Sequence, residues 1–128
     1  MYRFVDHTAE LELELEAESA EGALEEALRA FAELAGPAEG EEIEHRVVVD
    51  ASDFPTLLAG WLEELVFLAE TESFVPERAD LALDGLRLSA VVRGRRGEPR
   101  PLVKAVTLHR LRLRPENGIW RGRAVLDV

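Results

Sequence analysis

Three short stretches of the chain carry residue types that could do chemistry together. The first, Asp6-His7-Thr8-Ala9-Glu10, gathers two carboxylates, an imidazole and a hydroxyl within five residues. The second is the end of the chain, Ala124-Val125-Leu126-Asp127-Val128, where a side-chain carboxylate is followed by the α-carboxylate of Val128. Two oxygen groups one residue apart, beside a third carboxylate, suit a hard cation such as Ca²⁺ or Mg²⁺, and calcium tolerates irregular oxygen-rich geometry better. The third is Leu102-Val103-Lys104-Ala105-Val106-Thr107-Leu108-His109, which holds Lys104, the only lysine among 15 basic residues. An ammonium is a compact point charge and a guanidinium a planar fork, so a site tuned to lysine resists arginine.

Each stretch also has a plainer explanation. Neighbouring acids in an acidic chain are ordinarily solvated, a lone histidine such as His7 is ordinarily a hydrogen-bonded structural residue, and chain ends fray. Lys104 could be retained by chance. No glycine-rich phosphate loop, Ser/His/Asp arrangement or His-Glu-x-x-His motif is present, so nothing in the sequence indicates a nucleophilic enzyme.

Composition narrows the classes. The 128 residues suit one domain over 1–128. The formal net charge of -11 is opposite in sign to the basic surface that an independent nucleic-acid binder needs. Any service to RNA would therefore run through a protein partner or a metal. The absence of cysteine excludes disulfides, thiol catalysis and cysteine zinc sites. Met1-Tyr2-Arg3-Phe4-Val5-Asp6 carries charge at once and has no apolar signal core, and no stretch has the length of a membrane span, which leads to the expectation of a cytoplasmic protein. Abundant Glu and Arg with no Gln fits thermal adaptation, and a GC-rich genome gives the same usage.

The elements that must position these residues are legible in the patterning. Glu10-Leu11-Glu12-Leu13-Glu14-Leu15-Glu16-Ala17 alternates strictly, the period of a strand with its leucines toward a core. Ser19 reads as the N-cap of a helix over about 20–35, with Leu24, Ala27, Leu28, Phe31 and Leu34 on one face and Gly36-Pro37 as its stop. Ile43 to Val49 reads as a strand. Asp53 caps a second helix with Pro55 in its first turn, burying Leu57, Leu58, Trp61, Leu62, Leu65 and Leu68. Strands follow at 79–83, 86–93, 103–114 and 119–128, with turns at Asp84-Gly85 and Glu116-Asn117-Gly118. The expected fold class is α+β, a single domain of two main helices packed on a largely antiparallel β-sheet.

Taken in order, these segments resemble the archease family over nearly the whole chain. Val5 to Glu10 looks like the family's Asp-His-Thr-Ala-Asp signature, and Ser19 to Leu24 like its first helix start. Asp53-Phe54 through Leu65 is similar to its second helix, Val103 to Thr107 to its Val-Lys-Ala-Ile/Val-Thr strand, and Leu126-Asp127-Val128 to its ending. The resemblance implies an accessory protein of the GTP-dependent, metal-dependent RNA ligase of tRNA splicing. Such a protein promotes attachment of GMP to the ligase's histidine and multiple turnover, and does not itself join RNA. It implies a divalent-metal site, Ca²⁺ with Mg²⁺ or Mn²⁺ as alternatives, at Glu10, Asp127 and the carboxylate of Val128. Asp6 and Lys104 match other functional positions, and His7 a signature residue. The implied partner is the ligase, with RNA met only indirectly, no membrane and no nucleotide of its own. Glu10 departs from the usual Asp by one methylene, and Glu12 and Ala17 stand where the family commonly has Gly. For the site to form, the strand beginning at Glu10 must lie beside the last strand. The competing classes are a stand-alone metal-dependent hydrolase or nuclease, and a plain interaction or chaperone-like module.

Overall fold

The computed structural model describes residues 1–7, 10–99 and 103–128, with the side chains of Asp6 and His7 outside the description. Nine elements follow in chain order: β1 (Tyr2–His7), β2 (Glu10–Ala17), α1 (Ala20–Ala35), β3 (Glu42–Asp50), α2 (Phe54–Glu72), β4 (Phe74–Asp84), β5 (Arg87–Arg96), β6 (Ala105–Glu116) and β7 (Ile119–Asp127).

Local chemistry explains most of the boundaries. The Ser19 hydroxyl accepts the Gly22 N–H at 2.9 Å and starts α1. Gly36, at φ 83°, ends it in a conformation that costs glycine little. Asp53 accepts the Thr56 N–H at 2.8 Å and starts α2, with Pro55 in the first turn where no N–H is needed. The Asn117-Gly118 turn has both residues at positive φ, the two-residue geometry that matches the twist of a hairpin.

The strands form two antiparallel sheets rather than the single sheet expected. Sheet I is ordered β1-β2-β7-β6 and sheet II β3-β5-β4. The division follows from hydrogen bonding. In sheet II, β5 is bonded on one edge to β3 and on the other to β4, which leaves it no edge to extend the meander into β6. Two further elements differ from expectation. Residues 2–7 form a strand of their own, paired with β2 from Tyr2↔Leu15 to His7↔Glu10. The strand expected from Ala79 begins at Phe74 and tolerates Pro76 because β4 is an edge strand.

The core lies between the sheets and the helices, which bridge them. α1 packs on β4 and β2, and α2 on β6 and β4. Leu11, Leu13 and Leu15 are buried with Leu24, Leu28, Trp61, Leu62, Leu88 and Leu126. The Trp61 indole N–H reaches the Leu24 carbonyl at 2.9 Å, which satisfies its polar atom and ties α2 to α1. The Tyr2 phenol donates to Glu33 on α1, and this bond to a carboxylate pushes its pKa up to about 12. Among the described residues no helix is long and apolar enough to cross a membrane.

Candidate functional site

β2 and β7 are the two central strands of sheet I, and their register decides which candidates meet. Glu10 is directly opposite Asp127, and Asp127 is opposite Ala105 on its other side. Directly opposed residues hold their Cβ atoms about 4.5–5.5 Å apart, so two carboxylates share one end of the sheet. The Lys104 N–H donates to the Asp127 carbonyl at 2.8 Å, which fixes Lys104 and Val128 at the same end. Glu10 and Lys104 are exposed, and Asp127 and Val128 half-buried. Of the sequence candidates, four are therefore brought together: Glu10, Lys104, Asp127 and Val128.

The N-terminal signature is placed only in part. By backbone register His7 pairs with Glu10 and Asp6 with Leu11, so His7 falls in the row of Glu10 and Asp127 and Asp6 in the next. Their side chains, and the whole of Thr8 and Ala9, lie outside the described residues. Among the described residues no three His, Asp or Glu side chains are grouped to hold a metal. The donors that the register does bring together, Glu10 and Asp127, are carboxylates throughout. An all-oxygen set of this kind fits a hard divalent cation and not a soft one.

Two rows inward lies a carboxylate that the sequence marks only as a departure from the family's usual Gly. Glu12, on the same face as Glu10, is 4% exposed. Its carboxylate lies 3.4 Å from an Arg110 guanidinium nitrogen and 3.8 Å from Arg123 Nε. Arg110 reaches it from β6, two strands away, because β6 bulges. The register jumps between Thr107↔Val125 and Arg112↔Arg123, and Arg110 sits in the left-handed region at φ 59°. A non-glycine residue is strained there, and the bulge is what brings the Arg110 guanidinium to Glu12. The available signal was the charge alternation itself: Glu12, Glu14 and Glu16 on β2 are matched by Arg121 and Arg123 on β7 and Arg112 and Arg114 on β6.

Comparison with known proteins bears on what this arrangement belongs to. The model of the archease protein family matches residues 2–128. The chain is 30% identical to the archease of Archaeoglobus fulgidus over 99% of itself and 98% of that protein. It is 30% identical to the archease of Pyrobaculum neutrophilum over 99% of itself and 95% of that protein. In structure it is similar to protein 1598 of Methanobacterium thermoautotrophicum, with a TM-score of 0.74 and 26% identity over 99% of this chain and 98% of that one. The fold is also that of an archease, possible chaperone, from Thermotoga maritima, with a TM-score of 0.65 and 24% identity over 100% of this chain and 98% of that one. A family model spanning the chain, full-length relatives and a shared fold agree: the chain belongs to the archease family.

Proposed function

We propose that this chain is a cytoplasmic accessory protein that activates the GTP-dependent RNA ligase of tRNA splicing. In this reading it promotes attachment of GMP to the ligase's histidine, restores the ligase for further turnovers, and does not join RNA itself. The single observation that supports it most is the register of β2 on β7, which sets Glu10 opposite Asp127 at the end of the sheet where Lys104 and Val128 also lie.

Glu10, Asp127 and the α-carboxylate of Val128 would hold a divalent cation, Ca²⁺ with Mg²⁺ or Mn²⁺ as alternatives. When bound, that cation supplies neutralisation of the carboxylates and a Lewis acid for phosphate oxygens. The chain's own residues do the rest. The two opposed carboxylates repel each other, which keeps the site disposed to take up positive charge. Lys104, exposed at the rim, provides a positive donor for a phosphate or for a carboxylate of the cluster. The cluster sits at the end of a rigid sheet and presents these groups outward, where a partner's active-site mouth can meet them.

The test is multiple-turnover RNA ligation with wild-type, Asp127→Ala and Lys104→Ala protein. Both variants are expected to leave the ligase near a single turnover. Full turnover with both would remove the cluster from the mechanism. Ca²⁺ should raise the melting temperature of the wild type and not of Asp127→Ala, because a ligand that binds only the native state stabilises it. Catalysis on RNA or nucleotides by the isolated chain, without ligase, would favour a hydrolase instead.

A further inference from the structure

The outer face of sheet I gathers a group of guanidinia that the carboxylate site does not use. Arg112 on β6 is directly opposite Arg123 on β7, and the next outward-facing pair, Arg114 and Arg121, is also arginine on arginine. Like charges directly opposed across two strands are unfavourable unless something neutralises them. Three of the four have carboxylates. Arg114 pairs with Glu116 at 3.0 Å, Arg121 with Glu16 at 3.0 Å, and Arg123 has only the long 3.8 Å approach to Glu12.

Arg112 has none. Among the described residues it makes no ion pair or hydrogen bond, and its Nε is fully buried without a partner. The Nε of Arg123 is likewise buried without a hydrogen bond. A buried, unsatisfied donor on a charged group is costly, and the cost is removed when an acceptor enters. The nearby Glu14 carboxylate is turned to Arg3 and makes no hydrogen bond to Arg112 or Arg123. Arg112, Arg121 and Arg123 line a cleft of about 180 Å³ with Glu14 at its edge, several times the roughly 30 Å³ share of a water. Glu14 is directly opposite Arg123 and Glu12 approaches its Nε, yet neither Nε has a hydrogen-bond partner among the described residues.

We propose that Arg112 and Arg123, with Arg121 at the rim, form an oxyanion site that takes a phosphate group. Guanidinia present paired N–H donors that match the oxygens of a phosphate, and two opposed guanidinia offer such donors from adjacent strands. The acidic field around the cleft limits the site to a single phosphate, presented free or at an RNA end, rather than a length of RNA backbone. The proposal goes beyond the ligase reading and does not rest on it.

The experiment titrates the full chain with inorganic phosphate, pyrophosphate and a 5′-phosphorylated RNA oligomer at constant ionic strength, with chloride as control. Melting temperature and phosphorus NMR line width are read. Phosphate is expected to raise the melting temperature saturably in the wild type and in Glu10→Gln, at least tenfold more weakly in Arg112→Gln, and unchanged in Arg46→Gln on sheet II. Repeated at several salt concentrations, the RNA arm should show a log–log salt slope of about -0.7, the mark of one phosphate contact on a single strand; the tightest-binding arm names the source. A phosphate effect equal to that of chloride, or undiminished in Arg112→Gln, overturns the site. One readout separates binding from a structural role. Without phosphate at low ionic strength, Arg112→Gln should melt no lower than the wild type, since it removes one of two opposed like charges. A lower melting temperature would mark Arg112 as a structural residue and overturn the proposal. None of these measurements needs the ligase, so ligation turnover and phosphate binding fail independently.

Discussion

The two sheets handle surface charge differently. In sheet II opposite charges face each other: Glu42 is opposite Arg95, Glu44 opposite Arg93, and Asp50 opposite Arg87. Its one arginine–arginine opposition, Arg78 with Arg93, is neutralised, because Arg78 lies 4.0 Å from Glu77 and Arg93 lies 3.3 Å from Glu44 and is bonded to Asp80. Sheet I also opposes unlike charges, Glu14 with Arg123 and Glu16 with Arg121, but like charges are opposed three times: Glu10 with Asp127 at one end, and Arg112 with Arg123 and Arg114 with Arg121 further along. Like charges opposed across two strands are unfavourable unless something neutralises them, and sheet I carries such pairs of both signs on one face.

The difference should lie on the outer faces alone. Leu13 in sheet I and Leu88 in sheet II are both fully buried, so Leu13→Ala and Leu88→Ala should each cost about 3 kcal/mol in urea unfolding. A much smaller loss in either would break the comparison by showing that one sheet is loosely packed. Next in size is Glu12→Gln. It deprives Arg110 and Arg123 of their shared carboxylate in a nearly buried setting, and should cost about 2 kcal/mol in the same measurement.

Acid provides a smaller effect, in α2. The hydrogen bonds that Asp53 accepts from Thr56 hold its pKa below the usual carboxylate value. A group with a lowered folded pKa contributes stability above its unfolded pKa and loses it as pH falls through the folded one. The melting temperature should therefore fall on the acid side more steeply in the wild type than in Asp53→Asn, which keeps a cap that does not titrate. The smallest change belongs to sheet II. Arg87→Gln removes an exposed ion pair with Asp50 and should shift stability by less than about 0.5 kcal/mol.

Much of this was legible beforehand, and the pattern of what was not has physical causes. Both helices and their caps follow from local rules, so Ser19, Gly36, Asp53 and Pro55 mark them. The strand at Glu10–Ala17 and the turns at Gly85 and Asn117-Gly118 are equally local. The division into two sheets is not, because strand partners are chosen by contacts remote in sequence. Tyr2–His7 does not read as a strand because the alternation of Tyr2-Arg3-Phe4 breaks at Val5-Asp6. The β6 bulge carries no glycine to announce it: Leu108, His109 and Arg110 read as ordinary strand. The meeting of Glu10 with Asp127 came from resemblance and not from residue chemistry, which favoured solvated acids. The arginine cleft needed the register of three strands before its members could be seen as neighbours.

The order of sheet I has a consequence for how the molecule comes into being. Its central pairing joins β2, near the start of the chain, to β7, its last strand. Closing so long a loop is entropically slow, and contacts of this kind set folding rates. Sheet II can pair while synthesis proceeds, since its strands lie between residues 42 and 96, whereas α1 also packs on β2 and α2 on β6. β2 must wait with one edge unpaired, and so must both charged clusters, whose members come from β2, β6 and β7. A chain lacking β7 can thus hold a paired sheet II and still present neither cluster.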